Sequence, residues 1–264
     1  MKKNELNFHA CLTLLSAGSM RFRHSEKNQN RIRFFNNFFE NKEYSPVSPE
    51  LIHSKTVAAI DKASEAENCR LDGIITCNPL IVPVVTVADC MPIYIWDEKT
   101  GCFGVLHSGW KGTGIIAQAL SLAYAKYGAK KEDFHIILGP HIHDCCYIID
   151  EERAQYFKDT FGTDCVASTN DNTQFRLSLK KANLFLLQTL GVPRDNILCI
   201  DECTCCKQDT AGKELYGSFR RETAHLPSGT PLTEMHKNFT PMAAFMYRSE
   251  KNERQKNIFL KSFL

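Results

Sequence analysis

Residues 81–114 read IVPVVTVADCMPIYIWDEKTGCFGVLHSGWKGTG, and this stretch decides the fold. Ile81 to Val87 and Pro92 to Trp96 are short runs of β-branched and aromatic residues. Asp97 to Gly101 then supplies turn residues ahead of Cys102 to His107. Runs of this length bounded by turn chemistry predict consecutive strands joined by a hairpin. After Gly112 and Thr113, apolar residues recur at helical spacing at Ile116, Leu120, Ala123 and Tyr127, and Gly128 closes the segment. The order is strand, glycine-rich turn, helix, with Cys90 and His107 at strand ends.

Working outward, the pattern predicts a helix from Leu179 to Leu190, ended by Gly191 and Pro193, and a shorter one from Glu151 to Phe161. Strands are expected around Phe134 to Leu138, Asn196 to Ile200 and Met242 to Tyr247. Lys2 and Lys3 ahead of Ala10 to Ala17 faintly resemble an export signal. Glu5 and His9 interrupt that pattern and no small-residue cleavage site follows, so the segment reads as a first strand. The chain shows no internal repeat, low-complexity stretch or Pro/Gly/Ser linker. The expectation is an α+β fold, a single domain over residues 1–264 with mixed β-sheets layered with helices, and an added amphipathic tail over residues 249–264.

At 264 residues, 43% hydrophobic and 23% charged, the chain can bury a sizeable core. A formal net charge of +2 argues against a nucleic-acid partner. No apolar run approaches the roughly 20 residues of a membrane-spanning helix. The twelve cysteines are clustered, as at Cys145 and Cys146 and at Cys203, Cys205 and Cys206. Such clustering suits reduced thiols or metal ligands better than a disulfide framework and points to the cytoplasm.

Cys90 and His107 place a thiolate and an imidazole together, a pair that favours a first-row divalent metal such as zinc. A catalytic zinc needs three protein ligands and an open position, so a third must be found. His53, in Glu50 to Lys55, is the candidate, although a lone histidine on an apolar segment is ordinarily structural. Backbone N–H groups of Gly109 to Gly114, with Lys111 among them, could form an anion site at a helix start, or a plain tight turn. Walker-loop order is absent. Cys203, Cys205 and Cys206 could hold a structural metal, but no complete four-ligand pattern is visible.

Several motifs in order resemble the YfiH-like laccase-domain family: Asp72 to Thr76, Thr86 to Pro92, His107 to Gly112, Gly139-Pro140 with Cys145 to Tyr147, and Cys203-Thr204 with Ser218 to Arg221. The likeness covers about residues 50–247. It implies that His53, Cys90 and His107 bind zinc. It also implies purine nucleoside phosphorylase activity on adenosine, inosine, guanosine and 5'-methylthioadenosine, with adenosine deaminase activity beside it. On that reading Asp89 is a proton-transfer group, or equally a carboxylate that orients a ligand or caps a turn. Lys111, Arg220 and Arg221 become candidate phosphate contacts, or solvated surface cations.

The chain departs from the family in three places. Ser54 stands where the family has glycine, Met20 to Ser25 replaces its Ser-Leu-Asn stretch, and His141-Ile142-His143 precedes the Cys-Cys-Tyr motif. On a strand the two imidazoles would share a face, as an exposed polar pair or a second metal site. The laccase name invites copper, with Met91 as axial ligand, yet reducing oxygen to water needs several coppers and more histidines than this spacing supplies. Two other readings stay open. Cys90 as nucleophile and His107 as base would make a cysteine hydrolase, an amidase or deamidase of the kind proposed to edit peptidoglycan precursors. The third reading is a non-catalytic metal-binding protein.

Overall fold

The chain changes sheets between Val87 and Met91. In the computed structural model, which describes residues 6–40, 43–169, 173–250 and 260–263, Ile81–Val87 and Met91–Asp97 belong to different sheets. The first sheet runs, edge to edge, Leu260–Ser262, Leu6–Thr13, Met242–Glu250, Ile81–Val87 and Ser45–Val47. The second runs Ile197–Cys199, Phe134–Leu138, Met91–Asp97, Phe103–Ser108, Gly73–Thr76 and Val57–Ala59. Parallel pairs close one edge of the first sheet and both edges of the second, and the other pairings are antiparallel, so both sheets are mixed.

The sheets face one another. Strand alternation sends Phe8, Ala10 and Leu12 inward to meet Tyr94, Trp96, Phe103 and Val105. Cys11 and Phe245 point the other way and are covered by Phe35 and Phe38 of helix Gln29–Phe38. On the far side of the second sheet, Ile93, Leu106 and Ile136 pack under helices Ile115–Tyr127, Glu151–Phe161 and Leu179–Thr189. The layers are therefore helix, sheet, sheet, helices. Every residue of Met91–Asp97 is buried because both faces are covered, which is why it reads as a continuous apolar run.

The predicted hairpin forms between Met91–Asp97 and Phe103–Ser108, with Pro92 opposite His107. Ile81–Val87 is not part of it, because it pairs with Met242–Glu250. His141 and His143 are not an exposed pair on a strand. After Leu138 the chain turns inward to pair beside Cys203, burying His141 and placing its Nδ1 2.8 Å from the Gly139 carbonyl. The described part of the tail adds the edge strand Leu260–Ser262 beside Leu6–Thr13, while residues 251–259 and 264 of the expected amphipathic segment lie outside the described residues.

Candidate metal centre

Two of the three described non-glycine residues with left-handed backbone sit here: His53 at φ 56° and Asp89 at φ 78°. Such conformations cost on the order of 1–3 kcal/mol and persist only where surrounding contacts hold them. Asp72 holds the first. Its Oδ1 accepts the His53 N–H at 2.9 Å, and its Oδ2 accepts the Ser54 N–H at 2.6 Å and the Ser54 hydroxyl at 2.7 Å. Serine in place of glycine at residue 54 thus adds a tie to Asp72. The second is held from three sides. The Asp89 carboxylate accepts the Thr204 hydroxyl at 2.7 Å and the Arg220 N–H at 2.6 Å, and its carbonyl accepts the Ile142 N–H at 2.9 Å.

Asp72 also fixes His107. The carboxylate lies 3.2 Å from His107 Nδ1, both side chains are buried, and the His107 N–H donates to the Asp72 carbonyl at 2.7 Å. With Nδ1 held there, the ring has the Cys90 sulfur within hydrogen-bonding reach. Burial opposes charge on His107, but the Cys90 sulfur and Asp72 overcome it and raise the group to about 10. Burial likewise opposes ionisation of Asp72, and hydrogen bonds from His107 and Ser54 more than offset it, leaving the carboxyl below its usual range. His53 stands at the mouth, its ring centre 5.0 Å from that of His107 and perpendicular to it. Desolvation of its inner edge, with His107 close by, lowers His53 to about 4, so it offers a neutral imidazole. Once His107 and Cys90 give up their protons to binding, two imidazoles and a thiolate, one imidazole oriented by a carboxylate, suit a zinc-class divalent ion.

A cationic and aromatic wall adjoins the group. Tyr147 is buried near Cys90, and burial together with the Cys90 sulfur raises its phenol to about 12. The Arg220 guanidinium lies 5.6 Å from the Tyr147 ring centre, and that of Arg153 4.4 Å from the Trp110 ring centre. Both arginines line a cavity of about 670 Å³ with Asp150, Gln174 and Phe175. Arg153 Nε is buried without a hydrogen-bond partner. Lys111 is exposed, its Nζ 5.2 Å from the Trp110 ring centre. Thr113 closes the turn by donating its hydroxyl to the Gly109 carbonyl at 2.9 Å. Arg221 is otherwise engaged. Its guanidinium donates to the carbonyls of Thr204, Cys205 and Tyr216 at 3.0, 2.9 and 2.6 Å, and it faces Glu214.

Sequence reasoning placed Cys90, His107 and His53 together and gave no role to Asp72 or Arg153. Asp72 stood within a quoted motif, but its bonds cross between distant segments. Arg153 reads as an ordinary helix-surface cation until the helix is docked beside Trp110. Met91, the axial ligand of a copper reading, is fully buried in the apolar core.

Gly109 explains itself sterically: a Cβ there would lie 2.7 Å from the Cys90 sulfur. Gly109→Ala is expected to displace the thiol, lowering metal affinity and turnover about 10–100-fold. Its stability cost should stay within about 1–3 kcal/mol. Metal titration beside thermal melting checks this, and unchanged metal affinity would contradict it.

A family model described as multi-copper polyphenol oxidoreductase laccase matches residues 23–231. A protein of Geobacillus stearothermophilus named purine nucleoside phosphorylase YlmD is 26% identical over 185 residues, 66% of each chain. One from an unknown prokaryotic organism, named adenosine deaminase RL5, is 32% identical over 172 residues, 61% of this chain and 66% of that one. The chain thus spans just under two thirds of these curated relatives. The crystal structure of the Bacillus licheniformis hypothetical protein YfiH superposes with a TM-score of 0.75 at 22% identity, over 91% of this chain and 92% of that one, a likeness of fold.

Proposed function

The chain belongs to the multi-copper polyphenol oxidoreductase laccase family, of YfiH-like fold, and from that premise we propose that it is a purine nucleoside phosphorylase whose metal is held by His53, Cys90 and His107. The observation that carries the reading is the oriented His107, fixed by Asp72 and facing Cys90 beside a wall of arginines. The relatives' names supply the substrate class, purine nucleosides with phosphate, and a deaminase activity as a second outcome. Zinc is the proposed ion and copper the alternative. When bound, it supplies Lewis acidity and positive charge for phosphate or water.

In the proposed reaction an oxygen of hydrogen phosphate bonds to the ribose C1', the glycosidic C–N bond breaks, and the base leaves with the bond's electron pair and takes up the proton that the phosphate gives up. Arg220, Arg153 and Lys111 are proposed to bind and orient the phosphate, since guanidinium groups match its oxygens and the unpaired Arg153 Nε offers a donor. Of the two roles open to Asp89, proton transfer and positioning, its contacts support positioning, holding the Cys90 turn against Thr204 and the Arg220 N–H. The contacts of Arg221 likewise support a clamp on the 204–216 segment. The free thiols suit a reducing compartment, and we place the protein in the cytoplasm. Among the described residues no helix is long and apolar enough to cross a membrane.

Arg220→Ala is expected to raise KM for phosphate about tenfold or more with a smaller loss of stability than Arg221→Ala, since its guanidinium donates to one carbonyl, that of Ile148 at 2.9 Å. Arg221→Ala should instead destabilise the fold by about 1–3 kcal/mol, because it strips buried carbonyls of their donor. Initial rates against phosphate concentration and thermal melting separate the two. The reverse pattern would contradict both assignments.

One observation favours a second reading. Asp72, His107 and Cys90 form a carboxylate–imidazole–thiol series, the arrangement of a cysteine hydrolase. Metal analysis and an alkylating probe decide between them. Turnover by metal-free protein that is lost on alkylation of Cys90 would favour the hydrolase.

A further inference from the structure

We propose that Cys145, Cys146, Cys203 and Cys206 form a second, structural metal site that binds zinc through four thiolates, separate from the His53, Cys90 and His107 centre. Their sulfurs all lie within 4.8 Å of one another. The Cys145 sulfur is 3.7 Å from that of Cys146 and 3.8 Å from that of Cys206. A regular tetrahedron with zinc–sulfur bonds of about 2.3 Å has sulfur–sulfur edges of about 3.8 Å. A disulfide bond is far shorter, about 2.05 Å. These separations therefore match a ligand set better than a covalent pair.

Topology assembles the set from segments far apart in sequence. Phe134–Leu138 and Ile197–Cys199 are parallel neighbours, so the loops that leave them emerge at the same edge, where His141 bridges to Cys203. One loop brings Cys145 and Cys146 in a turn. The other brings Cys203 and Cys206 with a Cys-x2-Cys spacing in a second turn. The His143 N–H lies 3.4 Å from the Cys203 sulfur, and the N–H groups of Cys205 and Cys206 face that same atom. Backbone donors aimed at a sulfur favour its thiolate form. Arg176 donates to the carbonyls of Asp144 and Cys145 at 3.3 and 3.1 Å, placing a cation beside what would be a doubly negative complex. Binding releases the thiol protons.

The site would tie together two loops that serve the first centre. Thr204, between the cysteines of one loop, holds Asp89, and Tyr147, directly after the cysteines of the other, is close enough to Cys90 for the sulfur to raise its phenol. The four thiolates would hold zinc whether or not the first centre is a phosphorylase site.

The test uses the full chain carrying Cys90→Ala and His107→Ala, which removes the first centre. Elemental analysis is expected to find about one zinc per chain still bound, and Co2+ replacement to give the strong sulfur-to-cobalt charge-transfer bands of a tetrathiolate. Adding Cys145→Ser and Cys206→Ser should abolish both signals. If that protein fails to fold, the cobalt spectrum of the first variant decides alone. Metal-free first variant, a spectrum without thiolate bands, or an intact mass short of two hydrogens from a disulfide would each overturn the proposal. Loss of all metal with the first two substitutions would leave the His53, Cys90 and His107 reading standing.

Discussion

His107→Ala is expected to lower turnover about 10³-fold or more and to strip the proposed centre of its metal. The ring adjoins Asp72 at Nδ1, the Cys90 sulfur, and the His53 ring at its flank. The fold should survive the change. Asp72 is buried, but it keeps the N–H groups of His53 and Ser54 and the Ser54 hydroxyl as donors. The stability loss should therefore remain about 1–3 kcal/mol, the cost of weakening one buried polar group. Asp72→Asn should fall between, about 10–100-fold in metal affinity, because the ring remains while one of the two acceptor oxygens that hold His107, His53 and Ser54 is lost. Metal content, turnover and thermal melting on the same preparations check the series. Full activity in His107→Ala would remove this centre from the chemistry.

Gly104→Ala is expected to give a large stability loss for a single methyl group, about 3 kcal/mol or more, seen as a large fall in melting temperature or in insoluble protein. Gly104 lies opposite Ile75 in the antiparallel pair of Phe103–Ser108 and Gly73–Thr76. A Cβ there would stand 2.2 Å from the Ile74 carbonyl oxygen and 2.8 Å from the Ile75 side chain. The obstruction is backbone, so no rotamer change relieves it, and the strand would have to move. His107 is on that strand. Activity should fall through the loss of stability, whereas in Gly109→Ala, where the methyl group meets a sulfur, the loss should fall chiefly on metal affinity. A wild-type melting temperature would contradict this account of the packing.

Much of the fold was legible in residues 81–128. Ile81–Val87 matches its predicted bounds, and helix Ile115–Tyr127 ends at Gly128, whose φ of 68° needs the conformational freedom of glycine. Glu151–Phe161 and Phe134–Leu138 were equally clear, because apolar periodicity and flanking turn residues agreed. The change of sheet at Ala88 to Cys90 was not legible. Periodicity reports which residues are buried and not which sheet buries them, and an apolar strand covered on both faces looks alike in either. His141 was misjudged for a related reason: its burial comes from pairing with a segment some sixty residues later in the sequence.

The site divides in the same way. Cys90 and His107 could be paired from sequence because one hairpin brings them to the same end, whereas His53 needed the family resemblance. Asp72, Arg153 and the Cys145–Cys206 contact come from tertiary structure alone, since each joins segments that local patterns cannot relate. The arginines show the limit of residue type as a guide. Arg220 and Arg221 are adjacent, yet one lines the cavity and the other is committed to three internal carbonyls.

The central claim is phosphate-dependent cleavage at the His53, Cys90 and His107 centre. Its most direct test is release of free base from adenosine and inosine, with and without phosphate, by this chain with known metal content beside Cys90→Ala. The account predicts base release that requires phosphate and disappears in Cys90→Ala. A metal-loaded protein that releases no base from either nucleoside, or a Cys90→Ala variant that releases it at the wild-type rate, would contradict the account.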